Sequence, residues 1–79
     1  MTIEILRSAR AQKLTGRPRS SFYQQISRGL LPPPIKLGAR AVGWLASEIE
    51  AVNRARIQGK SEDEIRILVA SLIKQRSQL

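Results

Sequence analysis

Hydrophobic residues recur along this chain at the spacing of short amphipathic helices, and the clearest case lies near its C-terminal end. Five apolar positions follow the pattern i, i+3, i+4, i+7, i+8, which predicts a helix with one apolar face. These positions are Ile65, Leu68, Val69, Leu72 and Ile73. Ser61 and Glu64 precede them with the spacing of a capping box. The stripe suits either packing on the domain's own core or a homodimer through the same five residues.

A first short helix is predicted after residues 5–6, which would form a short strand or an apolar anchor. Ser8 would be its N-cap, because a serine hydroxyl can accept hydrogen bonds from the free amides of a first helical turn. Ala11 and Leu14 would face the core, and Gly16 would end the helix in the left-handed conformation.

A second short helix is predicted between Pro18, which suits a first helical turn, and Gly29, which would end it. Phe22 and Ile26 lie one turn apart and would be buried, so the opposite face is polar and basic. Two short helices joined by a turn containing glycine form the helix-turn-helix layout. The candidate DNA-contacting residues of this segment are Arg17, Arg19, Ser20, Ser21, Tyr23, Gln24 and Arg28.

A β-hairpin is predicted after three consecutive prolines, which form a stiff extended connector. Alternating apolar and polar positions indicate strands at residues 35–37 and 41–44, with Gly38 providing the positive φ of the turn. Lys36 and Arg40 would project from this hairpin, either toward a phosphate backbone or simply into water.

A third helix is predicted beyond Trp44, whose ring would cover the core with its N–H bonded to a partner at the edge. Ser47 and Glu50 have the spacing of a second capping box, and Gly59 would end this helix. The side chains predicted on or near one face of this helix are Ile49, Val52, Arg56 and Ile57.

Charge is distributed unevenly between the two halves of the chain. The 79 residues include 14 Lys and Arg against 6 Asp and Glu, a net charge of +8. Residues 1–46 hold eight basic groups and one acidic group, whereas residues 47–79 hold six basic and five acidic groups. Such an asymmetry is typical of one polyanion-binding face, although a solvated basic surface would give the same composition.

The side chains that most often carry catalysis are missing. The chain has no histidine and no cysteine, which removes the commonest general base, nucleophile and metal ligands. Five of the six acids lie at predicted helix starts, where capping explains them. We therefore expect a binding protein and not an enzyme, with no cofactor and no metal. Without a signal sequence or an apolar run long enough for a bilayer, we expect it in the bacterial cytoplasm, near the nucleoid, with no membrane partner.

Several strings of residues resemble the AlpA family of prophage-associated regulators. They are LTG at 14–16, RSSFYQQI at 19–26, IKLGARAVGW at 35–44, SEIEA at 47–51 and ARI at 55–57. The resemblance implies a mainly α fold with a small β-hairpin, a winged helix-turn-helix related to the MerR and excisionase DNA-binding domains. We therefore expect a DNA-binding domain at residues 1–58 and a C-terminal amphipathic helix at residues 59–79, within the same unit or for dimerisation.

The resemblance also implies a function and a binding mode. The second helix would enter the major groove of double-stranded DNA, and the hairpin wing would contact the backbone. The predicted function is a sequence-specific transcriptional regulator of a prophage or other mobile element. One alternative is an excisionase, or recombination directionality factor, that bends attachment-site DNA beside an integrase. Another is a protein-interaction module for an acidic partner. Gln24 stands where relatives often have arginine, so a relative's base preference does not carry over.

Overall fold

The computed structural model describes residues 3–79 and confirms the winged helix-turn-helix fold. In chain order the elements are β1 (Ile5–Leu6), α1 (Ser8–Thr15), α2 (Arg19–Ser27), β2 (Ile35–Lys36), β3 (Val42–Leu45), α3 (Ala46–Ile57), α4 (Glu62–Gln75) and a terminal 3₁₀ turn (Arg76–Gln78). Helices α1 and α2 form the helix-turn-helix, and the hairpin of β2 and β3 is the wing.

The three strands form one small antiparallel sheet in the order β1-β3-β2. Residues 5–6 are therefore a strand, which pairs with β3 so that Ile5 lies opposite Leu45. On the other side of β3, Ile35 lies opposite Gly43. A Cβ atom on Gly43 would lie only 2.6 Å from Cγ2 of Ile5 and 3.1 Å from the carbonyl oxygen of Leu6. The close approach of β1 to β3 therefore depends on glycine at this position.

The core is built around two aromatic rings contributed by α2 and β3. Phe22 and Trp44 are both fully buried, with ring centroids 5.2 Å apart in an edge-to-face arrangement. The expectation that Trp44 would cover the core with its N–H bonded at the edge is wrong. Its ring lies inside the core against Phe22 and Tyr23, and its Nε1 has no hydrogen-bond partner among residues 3–79.

Two of the three predicted serine caps are wrong. Ser8 is already inside α1, whose N-cap is Arg7 without a side-chain hydrogen bond, and its hydroxyl lies 2.8 Å from that of Tyr23. Helix α3 begins one residue before Ser47, with Leu45 as its N-cap and no side-chain cap. In α3 the extended N-cap position is taken by Leu45, the last residue of β3, because the strand continues directly into the helix.

The third predicted cap and the C-terminal helix are confirmed. The hydroxyl of Ser61 accepts a hydrogen bond from the Glu64 amide, and the Glu64 carboxylate accepts one from the Ser61 amide. Ile65 and Val69 are buried in the core of the same protomer, with Leu68 and Leu72 partly buried beside them, while Ile73 is 39% exposed. The inner part of the stripe therefore packs on the domain's own core.

Two apolar residues that follow helical spacing lie at the surface, and one of them, Leu14, was predicted to face the core. Leu14 is 40% exposed because it lies in the last turn of α1, where its carbonyl accepts a hydrogen bond from the amide of Asn53. Ile57 is 86% exposed at the end of α3. Hydrophobic spacing does not predict the burial of these two residues, because each lies near a helix end, where the helix extends past the edge of the core.

The predicted helix-ending glycines adopt the expected conformation, whereas the predicted hairpin glycine does not. Positive φ angles occur at Gly16, Gly29 and Gly59. Gly38 has no positive φ, so the prediction of a tight glycine turn is wrong. The Leu37 amide donates instead to the Ala41 carbonyl at 2.8 Å, which closes a wider loop that needs no left-handed residue.

Candidate nucleic-acid interface

Helix α2 has one buried side and one polar side. Phe22 is fully buried and Ile26 packs against the core, which turns Arg19, Ser20 and Gln24 into solvent. The helix begins without a side-chain cap and without an acidic residue in its first turn. No side chain of the protein therefore neutralises the free amides or the positive end of the helix dipole, which favours the binding of an anionic ligand there.

Tyr23 belongs partly to the core and partly to the polar side of α2. Its ring packs edge-on against Phe22 and Trp44, with centroids 5.2 and 6.2 Å away. Its hydroxyl lies 2.8 Å from the Ser8 hydroxyl, which links α2 to the start of α1. The guanidinium of Arg19 lies 5.4 Å from the Tyr23 ring centroid. This distance permits a cation–π contact that orients the arginine on the surface.

Two of the predicted site residues lie on the flank of α2. Ser21 is half-buried, and its hydroxyl accepts a hydrogen bond from Nη1 of Arg17 at 3.0 Å. One turn further along α2, the buried amide of Gln25 accepts a hydrogen bond from Nη2 of Arg56 at 2.8 Å. Sequence reasoning missed Gln25 and placed Arg56 on or near the same face of α3 as Ile49 and Val52, without a role. The only sign in the sequence of a role for Arg56 is that a basic residue interrupts an otherwise apolar pattern.

Arg28 lies at the end of α2 in contact with α4. Its Nη2 is 3.5 Å from Oε1 of Glu62, and its carbonyl oxygen accepts a hydrogen bond from Nε of Arg66 at 2.9 Å. Because Glu62 also lies 3.8 Å from Arg66, Arg28 shares this carboxylate. Its charge is therefore less available to a ligand than that of Arg19.

The wing carries the remaining two predicted residues. Lys36 pairs with Val42 in the hairpin, Arg40 lies in the loop between the strands, and both side chains are exposed. Neither forms an ion pair within the part of the chain that the structure describes. The buried residues 30–32 connect α2 to this hairpin and so fix where the wing begins relative to the helix.

Four of the six acidic residues form ion pairs within residues 3–79, namely Glu48, Glu62, Asp63 and Glu64. No group of three or more acidic side chains suited to a metal ion occurs in residues 3–79. Hydrogen bonds from the backbone and hydroxyl of Ser61 lower the pKa of Glu64, which stabilises its ionised form in the capping box. No helix in the same described region is both long and apolar enough to cross a membrane.

Comparison with known proteins agrees with this geometry. Residues 4–56, which include α1, α2 and the wing, match the family model described as Prophage CP4-57 regulatory protein (AlpA). The chain belongs to the AlpA family. This confirms the resemblance seen in the sequence and assigns the protein to a family of phage-related DNA-binding regulators.

One relative comes from Enterobacteria phage P4 and is described as Uncharacterized protein ORF88. It is 40% identical over 55 residues, which cover 70% of this chain and 62% of that protein. The chain thus spans less than two thirds of the length of this relative. No solved structure matches significantly. Helix α4 lies beyond the residues matched by the family model.

Proposed function

We propose that this AlpA-family protein is a sequence-specific transcriptional regulator of a prophage or other mobile element. Helix α2 enters the major groove of double-stranded DNA and the wing contacts the sugar–phosphate backbone. The observation that carries the proposal is the polar side of α2, where Arg19, Ser20 and Gln24 stand exposed beside an uncapped helix start. This surface lies in the half of the chain that holds nearly all the excess positive charge.

The side chains divide between affinity and sequence reading. Arg19, Lys36 and Arg40 carry free positive charge and neutralise phosphates, which gives affinity with little sequence information. Gln24 has the donor and acceptor needed to pair bidentately with adenine, and Arg19 can reach guanine from the same face. Ser20 supplies a hydroxyl for either a base or a phosphate. Ser21, Tyr23 and Arg28 have intramolecular partners and act mainly by positioning their neighbours.

Selection from a random duplex library with the full chain tests this proposal. We expect recovered duplexes to share a short common sequence, and affinity for it to fall steeply as salt rises. Recovery of no common sequence, with affinity no greater than that of a charge-matched basic peptide, would reject it. That result would favour a module that binds an acidic protein.

Footprinting on the native element separates regulation from excision. A site overlapping a promoter supports the regulator. Tandem sites beside an attachment core, with bent DNA and dependence on an integrase, would instead support the excisionase alternative. The protein has the basic recognition surface that both roles need, and the position of the binding site distinguishes them.

The arrangement of α4 bears on domains and partners. We propose that residues 1–58 form the DNA-binding part, that residues 59–79 brace it, and that the protein acts in the cytoplasm. A homodimer formed through α4 would use the outer side of that helix, where Ile67 is 71% exposed, because Ile65 and Val69 are buried in the core of the same chain. Sedimentation equilibrium tests this, since a single-chain mass at high concentration would rule out a stable homodimer.

A further inference from the structure

We propose that Arg17 and Arg56 together bind one backbone phosphate on the flank of α2. The inference rests on the proposed DNA-binding function and adds a residue from α3, outside the helix-turn-helix and the wing, to the DNA contact surface. We call this pair of side chains the flank site.

The geometry of the flank site comes from two hydrogen bonds to the same edge of α2. Ser21 and Gln25 are one helical turn apart and so lie side by side on that edge. Arg17 donates to the first at 3.0 Å and Arg56 donates to the second at 2.8 Å. Guanidinium groups from the α1–α2 turn and from α3 are thereby brought to neighbouring positions along the recognition helix.

The charge at the flank site is unbalanced. Neither Arg17 nor Arg56 forms an ion pair within residues 3–79, although Arg28, Arg66 and Arg76 each do. Burial, followed by the charge of Arg17, lowers the pKa of Arg56, while the charge of Glu62 acts in the opposite direction. The charge of Arg17 therefore disfavours the cationic form of Arg56, and a bound anion would relieve that repulsion.

Each guanidinium has donors to spare. A guanidinium carries five N–H donors in a planar fork that matches a phosphate group, and the hydrogen bonds seen here use one from each arginine. The hydrogen bonds to Ser21 and Gln25 restrict both side chains before any ligand arrives. A phosphate bound between them therefore costs less side-chain ordering than one bound by two mobile surface arginines.

The position of the flank site identifies the phosphate as one of the DNA backbone. When a recognition helix lies in the major groove, the two phosphate chains run along its flanks. Arg17 lies two residues before the start of α2, and Ser21 is followed within three residues by Gln24 on the exposed side. A phosphate held at the flank site would thus fix how α2 is rotated in the groove, without reading a base itself.

The decisive comparison uses two substitutions on the same helix. Arg56→Gln removes the flank site's second guanidinium, and Arg54→Gln removes an equal charge from an exposed position in the groove between α3 and α4. We expect Arg56→Gln to weaken binding to target and random duplexes alike, by about five- to tenfold near 0.1 M salt, and to reduce the slope of log K against log salt by about 0.9. Arg54→Gln should change that slope by much less.

Arg17→Gln and the double variant test whether the arginines share one phosphate. If they do, the double variant loses little more affinity than either single variant, since the same contact is removed each time. Fully additive losses would overturn the shared site. Urea unfolding of each variant accompanies the titrations. Reduced stability of Arg56→Gln with an unchanged salt slope would also overturn the proposal, because Arg56 would then serve only to satisfy the buried Gln25.

Inorganic phosphate provides a readout that does not depend on DNA. We expect it to raise the Tm of the full chain and of Arg54→Gln more than that of Arg56→Gln. Equal shifts in all three would overturn the flank site even if DNA binding is established. A phosphate shift that requires Arg56, in a protein that fails to bind duplex DNA, would retain the anion site and reject the proposed function.

Discussion

Arg76 and Glu48 form a bidentate ion pair that joins the C-terminal end of the chain to the start of α3. Nη2 of Arg76 lies 2.6 Å from Oε1 of Glu48, and Nε lies 2.8 Å from Oε2. The same Nη2 donates to the carbonyl oxygen of Pro33 at 2.8 Å. These carboxylate contacts raise the pKa of Arg76 despite its partial burial. One side chain thus links the end of α4, α3 and the connector that leads to the wing.

We predict that Arg76→Met lowers the free energy of unfolding by about 3 kcal/mol, because it leaves a buried carboxylate without its partner. Glu48 is only 4% exposed, so water cannot replace the guanidinium. The double variant Glu48→Gln/Arg76→Met should lose less than Arg76→Met, since no buried charge remains. Urea denaturation measures both, with the exposed Lys74→Met as control. A double variant as unstable as Arg76→Met would contradict this account.

A second prediction concerns the contact between β1 and β3. Gly43→Ala should lower the free energy of unfolding by about 1–3 kcal/mol, because the added methyl group clashes with both a side chain and the backbone of β1. Gly38→Ala is the matched control, since a Cβ there meets nothing within 4 Å and its φ is not positive. Equal free energies of unfolding for the two variants in urea would show that β1 can shift to admit the methyl group without loss of stability.

The sequence predicted those features that depend on neighbours along the chain. The Ser61 capping box, the glycines that end three helices and the stripe of α4 all involve residues within a few positions of each other. The resemblance to the AlpA family, which includes the residues of the wing, made it possible to predict the overall fold as well. Local pattern was sufficient in these places because the native contacts are themselves local.

Contacts between distant residues could not be predicted in the same way. Arg56 meets Gln25 across 31 positions, and Arg76 meets Glu48 across 28. The position of Glu48 in the sequence indicates only a helix start, whereas the fold buries its side chain against Arg76, which lies outside the family match. Both contacts form only when the chain folds, and neither hydrophobic periodicity nor the distribution of charge shows which distant residues will meet.

A substitution at Tyr23 tests whether its hydroxyl stabilises the fold or contacts DNA. Tyr23→Phe removes a hydroxyl that lies 2.8 Å from that of Ser8 but keeps the ring against Phe22 and Trp44. We predict that the free energy of unfolding falls by about 0.5–1.5 kcal/mol. The affinity for DNA should change by less than about twofold, because the lost hydrogen bond lies within the protein. Ser8→Ala should have a similar effect, and the double variant should add little. A large loss of DNA affinity in Tyr23→Phe, with stability retained, would show that the hydroxyl contacts DNA.

The last prediction separates base reading from backbone binding. Gln24→Ala should reduce discrimination at one base pair of the target by about 1–3 kcal/mol and leave affinity for random duplex nearly unchanged, because the lost amide is uncharged and pairs with a base edge. Lys36→Ala should weaken target and random duplexes by the same factor and reduce the salt slope by about one. Titrations of both variants against the target and its single-base variants measure this difference. Equal losses on target and random DNA for Gln24→Ala would place its side chain on the backbone, and sequence reading would then fall to Arg19 and Ser20 on the same exposed side of α2.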